Sequence, residues 1–243
     1  MTDGRQPREG LALISTHWPS VTDPAKFVLR YAAAIRGYLQ ALLPPAADVD
    51  EVLQEFLLSV CERGFSPDRV RRGRFRDYLI ATVRYRAWRY LRRKKPQPLT
   101  PEQAERLRAP EETAPADAEW LNGWRQCLLD WAWERLERKQ RQSPGNRYYT
   151  VLRLTTDHPK AGSKVLAARV AADPPLSAVA FRKQLSRARA AFARALIDEV
   201  ERTLEKPTPE TVREELAELG LLEYVRPYLN NGRRGPHRRS TEG

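Results

Sequence analysis

An all-α fold, two small helical domains joined by a flexible acidic linker, is what this sequence predicts, and three observations predict it. Apolar residues return at steps of three and four along most of the chain, the period of a helix with one buried face. Only 12 glycines occur in 243 residues and no alternating apolar run offers a strand, while Ala, Leu, Arg and Glu are abundant. Near the middle, Pro96, Pro98, Pro101, Pro110 and Pro115 punctuate a stretch carrying Glu102, Glu105, Glu111, Glu112 and Asp117, the composition of a linker. The division that follows is an arm (1–22), a first helical domain (23–96), the linker (97–118), a second helical domain (119–205) and an extension with a basic tail (206–243).

Trp18 is expected to pin the arm, and Asp23 to cap a helix with Pro24 in its first turn. Val28, Tyr31, Ile35, Tyr38 and Leu42 form its stripe, and Pro44-Pro45 end it. Asp48 or Asp50 opens the next helix, which buries Val49, Val52, Leu53, Phe56, Leu57 and Val60. Asp48, Glu51, Glu55 and Glu62 lie three, four and seven apart, so they are expected to form an acidic ridge on its outside. After a connector at 64–73, a strongly basic helix runs to Lys95 with Phe75, Leu79, Thr82, Val83, Ala87 and Leu91 as its packing stripe. Arg84, Arg86, Arg89, Arg92, Arg93 and Lys94 spread over the rest, and Tyr78, Tyr85 and Trp88 share one side. Cations beside exposed flat rings suit a single-stranded nucleic acid, whose phosphates pair with the charge and whose unstacked bases lie on the rings. An acidic helix beside a basic one suits two partners of opposite charge.

In the second domain, Trp120, Trp124, Leu128, Trp131 and Leu136 mark a helix over 120–142, and Tyr148 to Leu154 a shorter one that His158, Pro159 and Gly162 break. Ser163 is expected to cap a short helix over 164–171, and a tight turn follows at 172–176. Ser177 caps a longer helix to about Glu205, with Val179, Phe181, Leu185, Ala188, Phe192 and Leu196 inward and Arg182, Lys183, Gln184, Arg187 and Arg189 outward. A short helix, a turn and a longer basic helix make the helix-turn-helix pattern, whose second helix enters the major groove. Glu210 to Tyr228 reads as one more amphipathic segment.

Lys plus Arg outnumber Asp plus Glu by 43 to 31, a formal charge of +12 that favours a polyanionic partner. Cys61 and Cys127 fall inside apolar patterns and are expected to be buried free thiols in a reducing cytoplasm. His17, His158 and His237 have no carboxylate or thiol at ligand spacing, so no metal and no cofactor is expected. No signal peptide is read at the N-terminus, and no apolar run approaches the ~20 residues of a membrane span. The expectation is a soluble cytoplasmic protein, monomeric when free, with no membrane insertion.

The order of these parts resembles a bacterial RNA polymerase sigma factor of the extracytoplasmic-function class. Asp50-Glu51-Val52-Leu53-Gln54-Glu55-Phe56-Leu57 is similar to the Asp-Leu-Val-Gln-Glu-x-Phe-Leu motif of the family's second conserved region. Phe75-Arg76-x-Tyr78-Leu79 and Ala87-x-x-Tyr90-Leu91-Arg92-Arg93 resemble the pattern that follows it. Residues 180–189, Ala-Phe-Arg-Lys-Gln-Leu-Ser-Arg-Ala-Arg, are similar to the fourth conserved region's Thr-Val-Lys-Ser-Arg-Leu-His-Arg-Ala-Arg. Trp18, the run Arg72 to Arg76, and Glu119-Trp120 look like a planctomycete-type branch. Tyr85 stands where the family usually has Asn, and Arg89 where it usually has Asp.

The resemblance implies that Asp50, Glu51, Gln54 and Glu55 dock on the clamp coiled coil of core RNA polymerase. It implies that Tyr78, Arg84, Tyr85, Arg86, Trp88, Arg89, Arg92 and Arg93 hold the melted minus-ten strand of promoter DNA. Arg182, Lys183, Gln184, Ser186, Arg187 and Arg189 would read the minus-thirty-five element. Such a protein has no catalytic residue of its own, and is governed either by an anti-sigma factor or by an extension such as 206–243. The competing class is a stand-alone helix-turn-helix regulator, against which the acidic ridge speaks. An enzyme such as a nuclease is disfavoured because no His or Lys converges on the carboxylates.

Overall fold

A computed structural model describes residues 24–43, 46–63, 74–94, 115–143, 145–171 and 175–229. Every regular element among them is a helix: α1 Pro24–Leu42, α2 Ala46–Arg63, α3 Phe75–Lys94, α4 Pro115–Gln142, α5 Tyr148–Asp157, α6 Ser163–Arg169, α7 Ala178–Thr203, α8 Pro209–Glu218 and α9 Leu222–Leu229. The all-α expectation therefore holds for the described residues, where the only β-type pairing is an isolated bridge between Arg74 and Leu204. Asp23, Trp18, Pro44-Pro45, the connector at 64–73, Lys95, most of the expected linker and the basic tail lie outside the described residues.

The chain forms two compact units that are discontinuous in sequence. The first takes 1–128 and 200–215, the second 129–199 and 216–243, so the divisions fall inside α4, α7 and α8. This differs from the expected boundary at residue 119. The indole rings explain why: Trp124 stacks on Tyr31 of α1 with centroids 4.7 Å apart and planes within 7°, and Trp120 meets Tyr38 edge-on at 5.9 Å. Pro115 to Asp117, expected in the linker, are the first turn of α4.

In the first unit, Tyr31, Ile35, Tyr38, Leu39 and Leu42 of α1 face Val49, Val52, Phe56 and Val60 of α2 and Phe75, Leu79 and Val83 of α3, all buried. Most of the stripe residues read from the sequence are thus the core, which the hydrophobic effect closes, while Leu57 and Thr82 are half-buried at its edge. Gly123 lets α4 approach α1 closely, because a Cβ there would sit 3.1 Å from the Cα and Cβ of Ala34. Leu204 and Val212, beyond the long α7, are buried members of the same unit.

In the second unit, Val151 of α5, Leu166 and Ala167 of α6, Val170 at the end of α6, and Phe181 of α7 form one buried cluster, with Leu154, Leu176 and Leu185 packed on it. Trp133 adds a ring contact to Phe192 at 4.9 Å. Ser177 caps α7 as expected, its Oγ accepting the Ala180 N–H at 3.1 Å. Ser163 does not cap α6: it is the first helical residue, and extended Gly162 precedes it. The expected single segment 210–228 is two helices. Gly220, at φ 65°, ends α8 by donating its N–H to Ala217 O at 2.9 Å, while the Leu221 N–H reaches Leu216 O at 2.8 Å. That is a Schellman stop, with buried Leu216 and Leu221 as its apolar pair.

Candidate nucleic-acid interface

Helix α3 sorts its cations by depth. Arg76 is buried, its Nε and Nη2 donating to the two oxygens of Glu215 at 2.8 and 3.1 Å, and Arg74 reaches the same carboxylate at 3.1 Å. Sequence reading missed this pair, since nothing local announces a partner 139 residues away. Arg84, expected on the DNA-facing surface, is instead spent inside the unit. It donates to the Tyr38 hydroxyl and to Asp117, both at 2.7 Å. Burial works against its charge, but the bonds to Tyr38 and Asp117 outweigh it and raise its pKa. Burial pushes the Tyr38 hydroxyl up to about 12, against the pull of Arg84.

Tyr78 is half-buried with its ring 6.3 Å from that of Phe75, turned toward the core edge. Tyr85 is 43% exposed, and its ring lies 6.0 Å from that of half-buried Trp88. The Arg92 guanidinium sits 4.6 Å over the Trp88 ring, a cation–π contact. Arg89 is exposed on the same helix. Of the eight α3 residues expected to hold a strand, Tyr85, Trp88, Arg89 and Arg92 therefore bring two mutually tilted rings and two exposed cations to the surface. Arg86 and Arg93 point at α2 instead.

The acidic ridge of α2 lies outward at Glu51, Glu55 and Glu62, as the sequence predicts, but not at Asp48, and part of it is paired. Asp48 is buried, 4% exposed, and accepts from the Tyr90 hydroxyl at 3.1 Å and from Lys94. Tyr90 also donates to Glu51 at 2.7 Å, and that bond, with burial and Asp48, raises its pKa to about 12. Glu55 accepts from Arg93 at 2.8 and 2.9 Å, and Asp50 pairs with Arg36 of α1 at 2.7 Å. Acidic α2 and basic α3 thus neutralise part of each other. Asp50, Glu51, Gln54 and Glu55 remain exposed, in line with Leu58 at 57% exposed, an apolar residue that the inward stripe does not take in.

Between the two helices lies an open pocket of about 340 Å³. Arg63, Arg86, Arg89 and Arg93 line it, and Arg86 donates to Ser59 Oγ at 2.6 Å. Arg63 was not singled out in the sequence, although it stands four residues after Ser59 and eight after Glu55, on the same face of α2.

In the second unit, Arg182, Lys183, Ser186, Arg187 and Arg189 are all exposed on α7, opposite buried Phe181, Ala188 and Phe192. Gln184 is half-buried, and its Nε2 donates to Gly145 O at 3.3 Å, which holds it to the loop before α5. Val179, expected inward, is 53% exposed at the start of this helix. The connection from α6 to α7 spans eight residues, 170–177, against the ~3–4 of a compact helix-turn-helix. Residues 172–174 of it are outside the described set.

Cys61 is exposed and Cys127 half-buried, against the expectation of two buried thiols. Among the described residues no three His, Cys, Asp or Glu side chains gather as a metal site, and no helix is long and apolar enough to cross a membrane. No family model matches the chain, and no curated protein or solved structure matches it either.

Proposed function

We propose that this chain is a promoter-specificity subunit, a sigma factor of the extracytoplasmic-function type that binds core RNA polymerase and assists promoter melting. The observation that carries the reading is the cluster on α3, where exposed Tyr85 lies tilted against half-buried Trp88, the Arg92 guanidinium covers the Trp88 ring and exposed Arg89 is on the same helix. Rings and cations adjoin there, which suits an unstacked strand, within the stretch whose motif resembles the minus-ten reader. Flipping a base out of a duplex costs a few kcal/mol. Stacking returns ~1–3 kcal/mol per base, so two rings with adjacent guanidiniums are enough to keep an opened strand.

The second support is the exposed cationic side of α7, backed by its own buried cluster. Arg and Lys reach guanine O6 and N7 in the major groove, and backbone phosphates if they fall short of the bases. The exposed line Asp50, Gln54 and Leu58 on α2 offers a polymerase contact that is part polar and part apolar. Catalysis belongs to the polymerase; this chain supplies placement and strand capture.

The deciding experiment is co-purification with core polymerase, followed by permanganate footprinting of a promoter opened by the complex. Stable association and reactive thymines that vanish with Tyr85→Ala are the expected results. Failure to bind core, with duplex binding retained, would overturn the proposal in favour of a stand-alone DNA-binding regulator.

A further inference from the structure

The pocket between α2 and α3 has the composition of a phosphate site rather than of a packing defect. Four guanidiniums, those of Arg63, Arg86, Arg89 and Arg93, border it, against the carboxylates of Glu55 and Glu62. Four positive and two negative charges leave a surplus of two, and Glu55 is already committed to Arg93 through both its oxygens. Like charges held this close cost free energy unless an anion joins them. Two of the four are fixed in place before any ligand arrives. Arg86 is anchored by Ser59 Oγ at 2.6 Å, with its guanidinium 5.6 Å over the buried ring of Phe56. Arg93 is anchored by Glu55.

The state of Arg86 agrees with an uncompensated cluster. Burial first, and then the neighbouring charges of Arg63 and Arg89, push its guanidinium below the ordinary range. The volume, about 340 Å³, is well above the ~30 Å³ that one water occupies, and falls at the lower end of small-ligand pockets. Leu58, 57% exposed on the rim, adds an apolar contact beside the cations.

From this geometry we infer that the pocket bounded by Arg63, Arg86, Arg89 and Arg93 is a phosphate-binding site of nucleotide size. Planar guanidiniums pair bidentately with phosphate oxygens, and Ser59, which accepts from Arg86, keeps its own hydroxyl hydrogen to donate. A surplus of two charges matches a phosphate monoester. A phosphodiester of a strand running along α3 presents two terminal oxygens instead of three, with one charge fewer. The inference rests on the pocket alone and stands whether or not the chain binds polymerase.

The test is calorimetric titration of the full chain with inorganic phosphate, with adenosine 5′-monophosphate, and with a short single-stranded oligonucleotide lacking terminal phosphates. Chloride at matched ionic strength is the blank. Saturable binding of at least one phosphate-bearing probe is expected, weakened tenfold or more by Arg89→Ala and abolished in Arg63→Ala/Arg89→Ala. Arg89→Lys should restore part of it, and Lys160→Ala, an exposed cation that does not line the pocket, should change the binding of the two small probes little. Binding of the free monoester, competing with the oligonucleotide, assigns the site to a small ligand; oligonucleotide binding alone assigns it to a strand. Absence of saturable binding by all three probes overturns the site. So does undiminished binding by the double variant with its melting temperature preserved. Co-purification with polymerase, measured separately, reports on the proposed function and not on this pocket.

Discussion

Arg76 and Glu215 show what one side chain can decide. Both are almost wholly buried, and each takes its main countercharge from the other. Glu215→Ala leaves a guanidinium in the core, and denaturant unfolding should show a loss of ~3–5 kcal/mol. Replacing both at once, Arg76→Met with Glu215→Leu, should recover most of that, because a packed apolar pair needs no countercharge. Tyr85 is the opposite case. It is 43% exposed, so Tyr85→Ala should leave the melting temperature nearly unchanged while single-strand affinity falls by ~1–3 kcal/mol. Should the variant melt early and still open promoters in proportion to its folded fraction, the ring is structural. Tyr38 and Tyr90 carry a pH dependence. Each is pushed from the ordinary 10.0 to about 12, Tyr38 by burial and Tyr90 by its bond to Glu51. The native state thus holds protons that the unfolded chain releases first. Their contribution is intact below about pH 10 and is lost as pH rises toward 12. Alkaline melting curves should show that decline, and Tyr38→Phe/Tyr90→Phe should flatten it.

Among the elements, α2 and α3 must be considered together. Changing Asp50, Glu51 and Glu55 to Ala removes partners of Arg36, Tyr90 and Arg93. The exposed pairs are worth ~0–1 kcal/mol each, so a modest drop in stability is expected alongside weaker polymerase association. Unchanged co-purification of a folded triple variant would remove this face from the docking surface. For α7, Arg187→Ala should lower duplex affinity and reduce the salt slope by about one if its contact is a phosphate. If affinity and slope both stay put for Arg182→Ala and Arg187→Ala, the helix does not read DNA. The periodicity that named the core of these helices is local, and local signals survive in a sequence: Phe75, Leu79, Val83, Ala87 and Leu91 were legible and are buried. Which charged face a neighbour covers is not local. Asp48 sits one helical turn from exposed Glu51 and two from exposed Glu55, yet it is buried and bonded to Tyr90 and Lys94. Arg84 differs from Arg89 only by meeting Tyr38 and Asp117. The candidate surface was therefore legible as a composition, and only partly as a set of residues.

At the scale of the whole molecule, residues 200–215 are part of the first unit, whereas the sequence predicts 206–243 to be a C-terminal extension. Nothing in a Pro-flanked amphipathic segment tells which core it serves; that is settled by Arg74 pairing its backbone with Leu204 and by Glu215 neutralising Arg76. Truncation after Glu205 should then behave like Glu215→Ala or worse, with early cooperative unfolding of the first unit in hydrogen exchange. Protection of α1–α3 at wild-type levels would contradict this. The same discontinuity reaches into synthesis. Translation delivers a protein from its N-terminus, at ~5–20 residues per second, and a unit contiguous in sequence can close as soon as it clears the ribosome. Here the nascent first unit must wait from residue 128 to residue 215, an interval of 87 residues or roughly 4–17 s, for its last strip of core and its buried carboxylate. During that wait the Arg76 guanidinium lacks the Glu215 carboxylate. The stretch 129–199 can meanwhile assemble its own apolar cluster, although the second unit too is completed only by the segment that follows residue 215.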